Sequence, residues 1–425
     1  MKKINFKLAM LAFGAMVALV SCDNDDNDPN GDPNEDEYAL VGGGINNPIT
    51  EDVTLKAGET YTLEGEYFVA APACLTIEEG VTIIAQDGND VAYILIEQGA
   101  TIEAKGTASN PIVMTSEVQE RGAWAGLHIC GKAPINATAG TGVSEVGLSA
   151  YGGTTSDDNS GALEYVRIEN AGYPYSTSTE ANGFTFYGVG SGTKVNYIQA
   201  HNGADDGIEF FGGTVNAKYV VSSDNKDDAF DWTQGWTGKV QYLVVTQGDG
   251  LEADQTIEGD NSKSDYAMTP VSHPTLSNIT MIGYDNSSNT SGALLRNGTY
   301  FNMYNAIMTG KSSNLVIDGT DDGDSNSTDL NPTDTSLDNG TSEFKAVAIA
   351  GSFSNKATSP KYGETEFIAA GNSVGNDFSS VLTGYVGSLA GGYDISADDS
   401  FFDATDFIGA VKTGADWTAN WTSFE

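Results

Sequence analysis

Histidine and arginine are nearly missing from this 425-residue chain, which has three of each and 19 basic residues in all against 59 acidic ones. The net charge of −40 repels nucleic acid, so no nucleic-acid partner is expected. His128, His201 and His273 are scattered without ligand spacing and read as structural, which leaves out a zinc centre. Three cysteines are too few for a disulfide scaffold. The chain also lacks a glycine-rich phosphate loop, a Ser/His/Asp set, an EF-hand and the glycine-rich nonapeptide that binds calcium. Helical periodicity is missing as well, while 39% hydrophobic residues exclude wholesale disorder.

What the chain does have is repetition. VNYIQAHNGADDGIEFFGGTV, from Val195, and AKYVVSSDNKDDAFDWTQGWT, from Ala217, carry the same chemistry 22 residues apart. Tyr197 matches Tyr219, Asp205 matches Asp227, Asp206 matches Asp228, and Glu209 matches Asp231. VQYLVVTQGDGLEADQ continues the series with Tyr242, Asp249 and Glu252, and LEYVRIEN supplies Tyr165 before it. Short apolar runs returning at such intervals, with turn residues between, are what stacked coils of strand require. The fold class expected is all-β, a right-handed parallel β-helix with a C-terminal cap region. Tyr165, Tyr197, Tyr219 and Tyr242 should form a ladder at roughly the 4.8 Å strand spacing, with Gly172 to Ala181 looping out of the first interval and Asn261 to Pro274 out of a later one.

The longest apolar run, Leu8 to Val20, follows three lysines and is too short to span a bilayer, which suits a secretory signal. It ends in Leu19-Val20-Ser21-Cys22, which resembles a bacterial lipobox and implies lipidation of Cys22; the plainer reading is a signal peptide with an incidental cysteine. The acidic stretch Asp23 to Glu37 resembles the export signal by which members of the Bacteroidota place lipoproteins on the outside of the outer membrane, and it also reads as a solvated tether. The expected divisions are a signal peptide at 1–21, an acidic disordered tether at 22–46, the β-helix at 47–318, an acidic linker or loop at 319–340 and a cap region at 341–425. Tyr38 to Thr50 could cover the first coil.

The carboxylates carry the site expectations. Asp205, Asp206, Glu209, Asp227, Asp228, Asp231, Asp249 and Glu252 should stack on one edge of the solenoid, where neighbours repel. Calcium would offset that repulsion, since it takes six to eight oxygens. Asp side chains that accept backbone N–H groups at turns are an equal alternative, and paired acid and base catalysis is a third. No catalytic residue is assigned. Trp232 and Trp236 are candidates for contact with sugar rings, with core packing the competing role. Cys74 and Cys130 are candidates for a bridge between neighbouring coils, or for buried free thiols.

The segments ASNPIVMTS, GAWAGLHICGKAPIN and ADDGIEFFGGTVNAKYVVSSDNKDDAFDWTQGWTG, with the closing FFDATDFIGAVKTGADWTANWTSF, resemble a family of Bacteroidota surface lipoproteins. The resemblance implies a right-handed β-helix and, for some members, a surface-layer role; it brings no catalytic motif. The expectation is therefore a lipid-anchored structural or protective protein on the cell surface of the outer membrane. It would be tied to the membrane through its anchor, associate with itself in an array and be stabilised by calcium. The alternative is a surface protein that cleaves or binds glycans, as a polysaccharide lyase, a glycosidase or a binding module.

Overall fold

The structure is a computed structural model and describes residues 38–88, 91–175, 179–286, 289–320 and 332–424. Cys22, the expected signal peptide and the stretch Asp23 to Glu37 lie outside them. Among the described residues the chain winds between two long parallel sheets, one of fourteen strands and one of ten. Lys194–His201 of the first sheet pairs with Asn216–Ser223, and Ile208–Phe211 of the second pairs with Phe230–Thr233, each residue facing its counterpart 22 positions on. The sequence repeat is one coil, and the all-β parallel β-helix expected from it is the fold.

The first sheet turns a corner. In the early coils it is built from two short strands, such as Thr101–Lys105 and Ile112–Ser116, and these pair with the two halves of the single strand Gly161–Glu169. Pairing skips the residue between the halves, which is Tyr165, then Tyr197, Tyr219 and Tyr242 in later coils. All four have left-handed φ, from 54° to 66°, a conformation that costs a non-glycine residue energy and bends the strand. Asn278, Asn305 and Ala346 take the same place and the same φ further along. The tyrosines form the expected ladder, with ring centroids 4.1, 4.2 and 4.8 Å apart. Inside, stacked Phe186, Phe210 and Trp236 continue the order, at 5.0 and 4.1 Å.

Three expected boundaries move. Tyr38–Val41 pairs in parallel with Thr60–Glu64, so the first sheet already includes residues of the segment 22–46 expected as a tether. The solenoid does not stop at 318: Glu343–Ile349 pairs with Asn302–Thr309, and Phe353–Asn355 with Ser313–Ile317. The acidic segment is an excursion within that coil, whose described part includes the helix Pro332–Asp338, with Leu337 in the core.

The region 341–425 is only partly a cap. The helix Glu364–Ala369 sets Phe367 against Phe344 and Phe353 at 5.4 and 5.0 Å and closes the end of the core. Beyond it the chain doubles back along the outside of the first sheet as a strap. Its antiparallel pair, Gly387–Ala390 with Phe407–Val411, lies across four successive strands of that sheet. Trp417 and Trp421 reach the tyrosine ladder, 5.3 Å from Tyr219 and 5.8 Å from Tyr165. Arg167 Nη1 donates to the Trp421 carbonyl at 2.8 Å, and the Ser423 amide donates to Gln199 Oε1 at 2.8 Å. The cause is an apolar outer face: Val221, Val244 and Ile307 point away from the core and need cover.

Candidate functional site

Alternation along the second sheet sends Ile208, Phe210, Phe230 and Trp232 inward and Glu209 and Asp231 outward. Trp232 and Trp236 are both 0% exposed, with their indole N–H groups donated to Thr299 Oγ1 at 2.9 Å and to the Val215 carbonyl at 3.1 Å. Of the two roles open for them, contact with sugar rings gives way to core packing, because the inward parity of Trp232 and the stacking of Trp236 on Phe210 place both in the core.

The carboxylates do gather. Glu209, Asp231 and Glu258 follow one another in register on the outer face. Asp206 and Asp228 occupy the turn just before their strands, and Gly207 leaves room there, since a Cβ would meet Ser222 Oγ at 2.2 Å. The third copy differs from the expectation. Its partner for Asp231 is Glu258, not Glu252, and its partner for Asp228 is Gln255, not Asp249. The turn from Thr246 to Ile257 is longer than the one from Ser223 to Phe230, so equal spacing picked the wrong acids, and Asp249 and Glu252 are exposed in the loop. Ile257-Glu258 repeats the apolar–acid pair of Ile208-Glu209, a signal that would have found the true rung.

Four overlapping carboxylate groups each bring three oxygens within 4.8 Å: Glu180, Asp205 and Asp227; Asp206, Asp227 and Asp228; Asp206, Glu209 and Asp231; and Asp228, Asp231 and Glu258. At that separation two charges repel by about 0.9 kcal/mol in water and about 3.5 kcal/mol at an effective dielectric near 20. The turn role is visible for one oxygen of each of two residues: the Asp228 amide donates to Asp206 Oδ1 at 2.8 Å, and the Gln255 amide to Asp228 Oδ1 at 2.7 Å. Asn182 Nδ2 donates to Glu209 Oε2 at 2.7 Å. Arg296 pairs with Glu258 and, at 2.9 Å, with Asp260. Asp231 Oδ1 is sealed from solvent and has no hydrogen-bond partner.

Burial raises these carboxyl groups out of the usual range, and their neighbours raise them further. Asp205 is pushed up to about 8 by burial and by Asp227, and Glu258 to about 7 by burial and by Asp260. Asp206, Glu209, Asp228 and Asp231 lie well above the ordinary carboxylate value for the same reasons. Without a cation the cluster holds protons near neutral pH.

Two loop segments close over this face. Asn136 Nδ2, from the segment 131–160, donates to Asn261 Oδ1 at 2.7 Å and to the Pro270 carbonyl at 3.1 Å, joining it to the loop 261–274. Tyr151 of the first segment donates to Gln234 Oε1 at 2.8 Å, beside the strand Phe230–Thr233. Glu145 and Lys263 bring charge from these loops to the cluster. Neither they nor Glu180 were found by sequence reasoning, because they lie outside the aligned repeat. Two surface hollows, of about 570 and about 400 Å³, lie elsewhere, on the early strands of the first sheet.

Cys74 and Cys130 are free, so of the two readings open for them the free thiols hold and the bridge is not made. Cys74 belongs to a strand of the first sheet and Cys130 to the outer face of the second, so one coil never brings them together. The three histidines are structural: His128 and His201 are buried against protein partners, and His273 packs edge-on to Tyr300. No curated protein and no solved structure matches the chain. The family model described as a pectate-lyase like beta helix domain matches residues 47–422, and the chain belongs to that family.

Proposed function

We propose that this is a structural protein of the cell surface whose solenoid is stabilised by a divalent cation, calcium, held among the carboxylates of the second sheet. The observation that carries this reading is enclosure. Asp205, Asp206, Glu209, Asp228 and Glu258 are only 5–8% exposed, which suits an ion better than a polymer that must enter and leave. The donors are all oxygen, the set that hard cations take. Oxygens bound to one calcium ion lie within about 5 Å of one another, and each carboxylate group brings its oxygens within that reach. The partnerless Asp231 Oδ1 supplies a free ligand atom. Acylation at Cys22 would fix the chain to the outer membrane with the solenoid outward, and calcium would lessen the self-repulsion of a chain with net charge −40 as copies associate.

A second reading, a glycan-active or glycan-binding surface protein, draws on the family description and on Arg296 and Lys263 beside the acids. Against it, the Arg296 guanidinium is already committed to Glu258 and Asp260. The test is thermal unfolding of the purified protein in excess calcium and after chelation, together with its bound-metal content and its action on pectate. Stabilisation is expected to be about 2.7 kcal/mol when calcium is a hundredfold above its Kd. Identical curves with no bound calcium sink the structural-cation reading, and pectate cleavage lost in Asp231→Asn replaces it with the second. Electron microscopy of cells with and without the protein then checks for a surface array.

A further inference from the structure

The carboxylate cluster contains the same triad twice, displaced by one coil. Asp206, Glu209 and Asp231 form the first; Asp228, Asp231 and Glu258 form the second, and Asp231 belongs to both. Their protein surroundings differ. In the second, Glu258 is paired with Arg296, which also holds Asp260 Oδ1 at 2.9 Å, and Lys263 bears on Asp231 and Glu258. In the first, Glu209 takes only the neutral amide of Asn182, at 2.7 Å, and Asp206 takes the backbone amide of Asp228, at 2.8 Å. No cationic group is among the strongest influences on Asp206 or Glu209, while Asp231, which the two rungs share, feels both Lys263 and Arg296.

We infer that the cation is held at the rung of Asp206, Glu209 and Asp231, and that Arg296 keeps a second cation out of the equivalent rung one coil on. This rests on the cation reading above and deepens it. Independent of the clustering of acids, the sealed and partnerless Asp231 Oδ1 marks a place where a ligand is wanted. The guanidinium occupies Glu258, the one ligand of the second rung that belongs to no other carboxylate group, so a cation there would meet a positive charge already in place. The protein's own cation therefore sets the count at one.

The experiment is a calcium titration of the intact protein by calorimetry, with Glu209→Gln, Arg296→Gln and, as a control, the exposed Asp249→Asn. One calcium per wild-type chain is expected. Glu209→Gln should weaken binding by at least about tenfold, which is 1.4 kcal/mol, Asp249→Asn should leave it alone, and Arg296→Gln should admit a second ion. Two ions in the wild type, full affinity in Glu209→Gln, or a count still at one in a folded Arg296→Gln overturns the inference. The wild-type count decides even where a variant does not fold. No binding by the wild type refutes the cation reading itself, a separate result.

Discussion

His128 sits on the outer face of the second sheet beneath the segment that closes over the carboxylates, and it gives the protein an acid weakness that can be measured. Its ring lies between Tyr93 and Tyr187, each 6.1 Å away, and is 0% exposed. Nε2 hydrogen-bonds the Ala125 carbonyl at 2.6 Å, while Nδ1 is sealed without a partner, so a proton placed there has no acceptor. Burial pushes the imidazole down to about 4 from its ordinary value of 6.5. Between those values the unfolded chain binds the proton and the folded one does not. Stability is therefore complete above about pH 6.5 and drains as the pH falls toward 4. With one pKa unit worth about 1.4 kcal/mol, the whole loss is roughly 3 kcal/mol. The perturbation is His128→Phe, which keeps an aromatic ring between the two tyrosines and removes the titration. Urea unfolding of both proteins across this range, after chelation, lets the carboxylate contributions cancel in the difference. The wild type should lose about 2–3 kcal/mol more than the variant on acidification. Parallel pH profiles would refute the reasoning.

Two other outcomes follow from the packing. Trp421→Ala removes a fully buried ring that meets Tyr165 and Tyr197 edge-on; it should cost about 3–5 kcal/mol, and limited proteolysis should then clip the strap after residue 375 while the solenoid survives. A strap as resistant as in the wild type would place its hold elsewhere. Native protein should react with a thiol reagent at Cys74 and not at buried Cys130, whose thiol burial raises to about 12. Intact mass before and after reduction should be the same, and a gain of two hydrogens would reveal the bridge that the structure lacks.

The coils were legible because the repeat is chemical as well as apolar. Tyr197 with Tyr219 and Glu209 with Asp231 fixed both the coil length and the ladder, and the structure keeps each pair in register. That tyrosine marks the corner of the first sheet was not legible, since a left-handed φ is not expected of a bulky residue. The third rung was misread for a different reason. A repeat aligned by spacing cannot see an insertion, whereas alignment on the apolar–acid pair Ile257-Glu258 would have passed over Asp249 and Glu252.

The covering of the solenoid was hardest to read, although the signal is present. A strand with only one buried face alternates, but Val220-Val221 and Leu243-Val244-Val245 are consecutive apolar residues, all buried. Such a run means that both faces are covered. On the first sheet the cover is the strap; on the second it is the pair of loops joined through Asn136 and Asn261. Period-two alternation assigns Trp232 to the inside and Asp231 to the outside and stops there. Whether an outward residue meets water depends on chain far away in sequence, and that is why the acids could be placed on one edge from the sequence while their burial could not. Burial is what separates an acidic ridge that water screens from a cluster that must hold either protons or a cation. The functional reading turns on the loops 131–160 and 261–274 more than on the repeat that first drew attention to the acids.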